Sequence, residues 1–296
     1  SLLPPERLAF VANTGDDFEH LGFTICPDLD TLVYTLADEV NPDTGWGRRD
    51  ETWSFMSELA RLGGETWFNL GDRDLATHAL RTRALAGGER LTEITARIAT
   101  ALGVRHPVLP MSDDPVRTEI DTPDGALAFQ HYFVRERCAP AVTGFRFAGA
   151  DRAAASPEAL ARLRAPDLAG VVICPSNPFV SVDPSLAVPR LREALAATPA
   201  PVIAVSPIVG GGAIKGPTAK MMDELGVPRT PEAVARHYAG VIDAFLLDER
   251  DADAEAAVAA LGLRTVVAPS VMLTLQDKMN LARALLAFLD VPFSTS

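Results

Sequence analysis

Five short apolar runs, each followed by polar, glycine or proline residues, constrain the fold of this chain most strongly. They are too short for buried helices and several are rich in β-branched residues, which is typical of strands buried on both faces. The runs are Leu8–Ala12, Gly170–Cys174, Val202–Val205, Ala244–Leu247 and Thr265–Ala268. Helical patterns separate most of them, and strands that alternate with helices build parallel sheets. We therefore predict a doubly wound α/β fold.

The predicted helices fall into two groups. Those among the later strands are Pro184–Ala197, which Pro189 limits or kinks, Thr218–Leu225, Pro231–Ile242, Asp253–Leu261 and Leu275–Leu289. The earlier group is Leu29–Ala37, Glu51–Leu62, Leu75–Leu85 and Leu91–Leu102, and a β-rich stretch follows it. In that stretch the turn Thr122–Gly125 joins Val116–Asp121 to Ala126–Val134, which predicts a hairpin. We expect a core of residues 1–28 and 150–296, with residues 29–149 as a helical and β-hairpin insertion.

The charge and the apolar pattern bear on partners and location. The 296 residues carry a formal net charge of −12 with no basic run, so nucleic acid and anionic membranes are disfavoured as partners. A small anionic ligand stays compatible, because backbone N–H groups can hold a phosphate locally. No apolar window is long enough to span a membrane, and the first residues lack the features of a signal peptide. We expect a cytoplasmic protein.

Polar segments follow the apolar runs at the point where a parallel sheet binds ligands. Glycine, asparagine and serine there supply hydroxyls, amides and exposed N–H groups that suit a phosphate or diphosphate. The candidate nucleotide-binding residues are Asn13, Gly15, Asp17, Ser176, Asn177, Ser181, Ser206, Gly210 and Gly211. The same residue types also occur in ordinary strand-to-helix turns, so a purely structural role for these residues stays open. Neither a GxGxxG fingerprint nor a Walker loop is present.

Paired carboxylates give a second signal. Asp28 and Asp30 lie between Cys26–Pro27 and an apolar helix, where carboxylates are either helix caps or metal ligands. A divalent cation that binds a diphosphate needs only one or two protein carboxylates. Asp30 is the first candidate ligand, with Asp17 as the second. The tryptophans at 46, 53 and 67 are either core residues or an aromatic wall for a planar ligand.

At these segments the sequence resembles the 2-phospho-L-lactate transferase family. The shared stretches run in the family's order over nearly the whole chain: NTGDDFEHLG (Asn13–Gly22), ICPDLDTLVYTL (Ile25–Leu36), LGDRDLATH (Leu70–His78), LPMSDDPVRT (Leu109–Thr118), FQHYFVRERC (Phe129–Cys138), PSNPFVSV (Pro175–Val182), AVSPIVGG (Ala204–Gly211), GPTAKMM (Gly216–Met222) and FLLDERD (Phe245–Asp251).

The resemblance implies a Rossmann-like core, a Mg²⁺-dependent reaction and a homodimer. It implies transfer of a phospholactyl or phosphoenolpyruvyl group from a guanosine diphosphate conjugate to the deazaflavin Fo, with release of GMP, in coenzyme F-420 biosynthesis. The NTGDDFEH stretch resembles bacterial members, whose donor is expected to carry an enolpyruvyl group. The family's glycine-rich first strand and loop would precede Leu8–Ala12, which already has the pattern of an interior strand.

The resemblance also implies roles for individual residues. Asp30 matches the acceptor-binding aspartate, Asn69 matches a second acceptor position that is usually basic, and Arg73 lies close by in LGDRD. Asp30 and Asp28 are the candidate catalytic residues, and the segments PSNP and SPIVGG match the guanosine nucleotide cradle. We expect Asp30→Asn to cut turnover and leave the fold intact. The alternative is a non-catalytic nucleotide-sugar-binding regulator of the same fold, which PDLDT and LGDRD argue against.

Overall fold

The computed structural model describes residues 2–294 of the chain. Its strands are β1 Phe10–Ala12, β2 Phe18–His20, β3 Phe23–Ile25, β4 Val108–Pro110, β5 Arg117–Thr122, β6 Gly125–Ala128, β7 Gly144–Ala148, β8 Val171–Ile173, β9 Val202–Val205, β10 Ile208–Val209, β11 Gly212–Ala213, β12 Ala244–Leu247 and β13 Arg264–Val267. Its α-helices are α1 Pro27–Leu36, α2 Ser54–Arg61, α3 Asp72–Ala86, α4 Leu91–Ala101, α5 Pro157–Leu163, α6 Asp183–Leu186, α7 Pro189–Ala196, α8 Thr218–Glu224, α9 Pro231–His237, α10 Glu255–Ala259 and α11 Leu275–Phe288. Within residues 2–294 none of the helices combines the length and the apolar character that crossing a membrane requires.

A four-stranded parallel sheet lies at the centre of the fold, in the order β13-β12-β9-β8. Every residue of β9 and of β12 is buried, as expected for strands covered on both faces. Ala204 and Phe245 belong to the cluster that includes residues of α5, α7 and α9, whereas Ile203 packs in the cluster that includes Leu281 of α11. Helices therefore cover both faces, and the predicted doubly wound α/β fold is confirmed.

The first predicted strand pairs with a strand that the sequence pattern did not reveal. β1 pairs in parallel with β4, for example Val11 opposite Leu109, and the two form a separate small sheet. β4 lies within the range 29–149 that we assigned to the insertion. α1 and α4 cover these strands through Leu29, Val33 and Ile94. The division into two domains stays a prediction.

The remaining predicted elements match the structure except at some of their ends. The helix predicted over Pro184–Ala197 is two helices, because Pro189 begins α7. The hairpin β5–β6 forms as predicted, with β7 on the other edge of β5. The prediction that its second strand runs to Val134 was wrong: β6 ends at Ala128, and His131–Arg135 forms a π-helical turn. A second hairpin, β2–β3, packs against α2 through Ile25 and Met56.

Candidate functional site

One large cavity, of about 940 Å³, lies beyond the carboxyl ends of the central strands. It is lined by residues that follow β8, β9 and β13 and by residues of α1 and α3. Seven of the candidate residues line it: Asp28, Asp30, Asn69, Ser176, Asn177, Ser181 and Ser206. The residues predicted to bind the acceptor and those predicted to bind the nucleotide, which are separated by more than a hundred residues in sequence, therefore face a common space.

The other candidates do not line this cavity: Asn13, Gly15, Asp17, Arg73, Gly210 and Gly211. Gly210 donates its N–H to both carboxylate oxygens of Asp251, at 3.1 and 2.9 Å, so this amide is already occupied. Arg73 is exposed, and its Nη1 reaches the carbonyl of Arg49 at 3.4 Å. The roles suggested for Gly210 and Arg73 stay predictions.

Asn13 and Gly15 support the cavity wall from behind. Asn13 Nδ2 donates to Asp28 Oδ2 at 3.0 Å and to the carbonyl of Val180 at 3.3 Å, while its Oδ1 accepts from the N–H of Gly15 at 2.8 Å. A Cβ on Gly15 would lie only 2.6 Å from Thr118 Oγ1, so this position requires glycine for close packing. The NTGDD segment thus fixes Asp28 against the turn that follows β8.

Asp30 is neutralised by an arginine that the sequence analysis did not single out. It lies in the first turn of α1, and its carboxylate accepts from both terminal nitrogens of Arg81 on α3, with Nη1 3.1 Å from Oδ2. Arg81 is 1% exposed and Asp30 6%. Asp30, Asp74 and His78 offer atoms close enough together for a metal ion, but Arg81 Nη1 lies 3.3 Å from His78 Nδ1. Because the guanidinium already supplies the positive charge there, Asp30 fits an orienting role better than metal ligation.

Three carboxylates beside Asp30 have no such cation. Burial raises the pKa of Asp16 well above its usual value, and the nearby charge of Asp28 raises it further. Burial also raises the pKa of Asp28, and it raises that of Asp17 to about 7 although Cys26, Arg117 and Arg81 oppose the shift. Within residues 2–294, Asp16 Oδ1 and Asp17 Oδ1 are buried without a hydrogen-bond partner. This group has the hard oxygen ligands and the uncompensated charge that a divalent cation requires.

A cluster of polar groups extends from Asp30 along the same wall. Tyr34 donates its hydroxyl to Asp74 Oδ1 at 2.6 Å, and His78 lies 3.5 Å from Asp74 and 3.7 Å from Asp30. Burial opposes ionisation of Asp74, but contacts with His78 and Tyr34 lower its pKa overall. Tyr34 has its pKa raised by burial and by the two neighbouring carboxylates, so its hydroxyl stays protonated. The hydrogen bonds from Arg81 hold Asp30 in one orientation at the cavity surface.

Aromatic residues form the wall next to this cluster. Trp67 stands edge-on to His131, with centroids 4.7 Å apart, and to His20 at 5.0 Å. Trp46, Trp67 and Phe68 line the cavity, whereas Trp53 does not. Trp46 and Trp67 therefore lie where an aromatic wall of the cavity would place them. Such a surface suits a planar ring system.

Hydroxyls and a side-chain amide line the opposite, nucleotide side. Asn177 accepts from the N–H of Phe179 at 3.0 Å and caps the turn Pro178–Val182. Ser206 both donates to the carbonyl of Ile208 and accepts from its N–H, at 2.7 and 3.2 Å. Their hydrogen bonds fix the two turns, while Ser176 and Ser181 also face the cavity. Rigid turns of this kind can present donors to phosphate oxygens.

Several cavity residues were absent from the sequence-based candidates: Asp16, Tyr34, Asp74, His78, Gln130 and the basic residues Arg137, Lys215 and Lys278. Asp16 could have been found, because it lies in the same segment as Asn13 and Asp17. Gln130 donates weakly to the carbonyl of Asp16, at 3.4 Å. The others come from segments that only the tertiary fold brings to the cavity.

A parallel sheet with a ligand cavity at its carboxyl edge, an acidic wall and rigid polar turns is typical of an α/β enzyme that binds a small-molecule ligand at this edge. Comparison with known proteins makes this specific. The model of the 2-phospho-L-lactate transferase CofD family matches residues 3–267, and the chain belongs to this family. It is therefore an enzyme of the family, which sets aside the alternative of a non-catalytic regulator.

Individual relatives agree with this assignment. The chain is 40% identical over 293 residues to a phosphoenolpyruvate transferase of Kitasatospora aureofaciens, which covers 97% of this chain and 91% of the relative. It is 36% identical over 281 residues to a 2-phospho-L-lactate transferase of Methanosarcina mazei, covering 95% and 91%. A crystal structure of a UPF0052 family protein from Bacillus halodurans matches the fold with a TM-score of 0.55 at 16% identity, covering 92% of this chain and 89% of that one.

Proposed function

We propose that this enzyme transfers a phosphoenolpyruvyl group, or its phospholactyl counterpart, from a guanosine diphosphate conjugate to the deazaflavin Fo and releases GMP, in coenzyme F-420 biosynthesis. The observation that carries the proposal is the common cavity: Ser176 and Ser206 line the same space as Asp30 and Trp67. Both reactants of a direct transfer must occupy one site, and this cavity is large enough for two ligands of moderate size. Relatives named phosphoenolpyruvate transferase at about 40% identity support the enolpyruvyl donor.

Each wall of the cavity has a role in this proposal. The turns at Ser176 and Ser206 hold the guanosine nucleotide, and the aromatic wall with Asn69 holds the deazaflavin ring. Asp30, paired with and fixed by Arg81, orients the acceptor hydroxyl toward phosphorus. The hydroxyl oxygen forms the new bond to phosphorus, the bond to the GMP oxygen breaks, and the hydroxyl proton is lost. Orientation of the reactants and electrostatic stabilisation supply most of the catalysis of such a step.

Magnesium is part of the proposal, and a group of buried acidic side chains supports a place for it. Asp16 and Asp28 line the cavity and Asp17 lies behind them, with buried carboxylate oxygens of Asp16 and Asp17 unpartnered in the described part of the chain. These residues, rather than Asp30, would hold the ion. When bound, Mg²⁺ neutralises the negative charge of the phosphates. A homodimer and a cytoplasmic location remain expectations from the family and from the sequence.

The decisive experiment mixes the protein with Fo, Mg²⁺ and each guanylated donor in turn. We expect GMP to appear in equal amount to a phosphodiester of Fo, and the product mass to report whether the acid is enolpyruvyl or lactyl. Asp16→Asn should abolish turnover, whereas Arg152→Gln, a change at an exposed residue outside the cavity lining, should not. If folded protein that binds donor releases no GMP with either donor, the proposed reaction is wrong.

A further inference from the structure

The cations of the cavity are unusual in a chain this acidic. Lysine occurs only at positions 215, 220 and 278 of the sequence, and two of these three lysines line the cavity. Arg137 lines it as well. Three positive charges thus border one space in a protein whose formal net charge is −12. Such a local concentration of charge raises the local concentration of anions.

These three cations have no protein partner. Across residues 2–294, no hydrogen bond or salt bridge joins the side chain of Arg137, Lys215 or Lys278 to another residue. The third lysine behaves differently, because Lys220 Nζ lies 2.6 Å from Glu224 Oε1 and donates to the carbonyl of Pro140 at 2.8 Å. Lys220 is therefore structural, and the cavity cations are available to a ligand.

The fold places the three cations on separate supports around the opening. Lys215 follows the β10–β11 hairpin, and Lys278 lies in the first turn of α11, next to Asp277, which caps that helix. Arg137 lies between Tyr132 and Pro140 in sequence, and both of these residues contact Lys220 of α8. The segment that carries Arg137 therefore lies beside α8, which begins three residues after Lys215.

The backbone at Arg137 gives an independent sign that this placement matters. Arg137 and Cys138 have φ angles of 51° and 58°, so two consecutive residues other than glycine occupy the left-handed region. Such conformations are sparsely populated, and they persist where the surrounding structure fixes them, often at ligand sites. The strained turn projects Arg137 from the end of the π-helical turn into the cavity lining.

We propose that Arg137, Lys215 and Lys278 form an oxyanion-binding rim for the part of the donor beyond its nucleoside monophosphate, namely the distal phosphate and the carboxylate of the attached acid. This inference rests on the proposed function for the identity of the donor. Both groups are compact oxyanions, which lysine and arginine recognise by charge and hydrogen bonding. The rim complements the acidic wall at Asp16 and Asp28, which would repel the same groups in the absence of a cation.

Equilibrium titration with GMP, GDP and the guanylated donor, all in Mg²⁺, tests the rim without requiring turnover. The variants are Arg137→Asn, which tolerates the left-handed backbone, Lys215→Gln and Lys278→Gln. Each cation is exposed, so each variant should weaken binding of the donor by about two- to fivefold and leave GMP binding unchanged. Arg135→Gln on the same turn and Arg283→Gln on α11 are matched controls, because neither lines the cavity, and they should bind all three nucleotides like the wild type.

The nucleotide series separates the two oxyanions. If the variants lose affinity for GDP and donor alike, the rim binds the distal phosphate; if they lose affinity for the donor alone, it binds the carboxylate. The rim would be overturned by any of three results: unchanged donor affinity in all three variants, a loss of GMP affinity equal to the loss of donor affinity, or an equal loss of donor affinity in the control variants. Cation-dependent donor binding without GMP release would refute the proposed reaction and leave the rim standing. GMP release together with unchanged donor affinity in the variants would refute the rim and leave the proposed reaction standing.

Discussion

Replacing Asp30 by asparagine tests the buried ion pair on which the acceptor side of the cavity depends. The substitution leaves the guanidinium of Arg81, 1% exposed, without its paired carboxylate; within residues 2–294 its other hydrogen bonds go to the carbonyl of Thr24 at 3.3 Å and to His78. Removing one partner of a buried pair costs about 3–5 kcal/mol, because the remaining charge is uncompensated. A domain is stable by only about 5–15 kcal/mol in total. We therefore expect Asp30→Asn to lower the free energy of unfolding by about 3 kcal/mol or more.

Urea unfolding followed by tryptophan fluorescence measures this loss, and a double-mutant cycle assigns it. The cycle compares Asp30→Asn, Arg81→Met and the double variant. The loss in free energy of unfolding of the double variant should be smaller than the sum of the two single losses by about 1.5–3 kcal/mol. Glu58→Gln breaks an exposed pair with Arg61 and should leave the unfolding midpoint unchanged. Additive losses in the cycle, or a loss for Asp30→Asn no larger than for Glu58→Gln, would show that Asp30 is not held by Arg81.

Two further changes probe the NTGDD segment. Burial raises the pKa of Asp17 to about 7, so the folded state binds the proton more tightly than the unfolded state, and stability is lost as pH rises from about 4 to about 7. Without divalent cations, Asp17→Asn should raise the free energy of unfolding at pH 8 by roughly 1–4 kcal/mol and by about a third as much at pH 5; an equal gain at both pH values would contradict the shift. Gly15→Ala should lower the free energy of unfolding by about 1–3 kcal/mol, because the new methyl group would meet Thr118 Oγ1 and Pro184 Cβ at 2.6 and 2.8 Å. An unfolding midpoint for Gly15→Ala equal to that of the wild type would show that the backbone there accommodates the methyl group without loss of stability.

The fold could be predicted from sequence wherever local pattern and burial agree. β9 and β12 were found because uninterrupted apolar runs of four residues have no other stable environment than a sheet covered on both faces. Pro189 was recognised as a break because proline has no N–H for a helix interior. β4 was missed because two of its three residues lie between Pro107 and Pro110, and Pro110 is itself the last strand residue, which hides the apolar pattern.

The candidate site could be predicted less well, because its side chains depend on pairings that leave no local signal. Arg81 lies 51 residues after Asp30, and nothing in the intervening sequence indicates that the two form a pair. The same applies to Asp251, which occupies the amide of Gly210 from 41 residues away. The sequence thus located the strand ends that reach the cavity, but it did not show which of their polar groups are already satisfied. The expectation that Asp30→Asn would spare the fold conflicts with the buried Arg81 contact for this reason.

The distribution of unsatisfied charge in the cavity predicts how its ligands depend on each other. Arg81 neutralises Asp30, so the acidic groups without a salt bridge in the described part of the chain are Asp16, Asp17 and Asp28. In the same part of the chain, the rim carries the unpaired cations Arg137, Lys215 and Lys278. A polyanionic donor alone would meet repulsion from the acidic wall, and Mg²⁺ alone would leave the rim unpaired. Binding of one must then strengthen binding of the other, by one and the same factor in both directions. The donor Kd measured with and without Mg²⁺, set against the Mg²⁺ Kd with and without donor, should therefore show an equal gain of about five- to 150-fold. A donor Kd that is the same with and without Mg²⁺ would mean that the donor and Mg²⁺ do not bind together in this cavity.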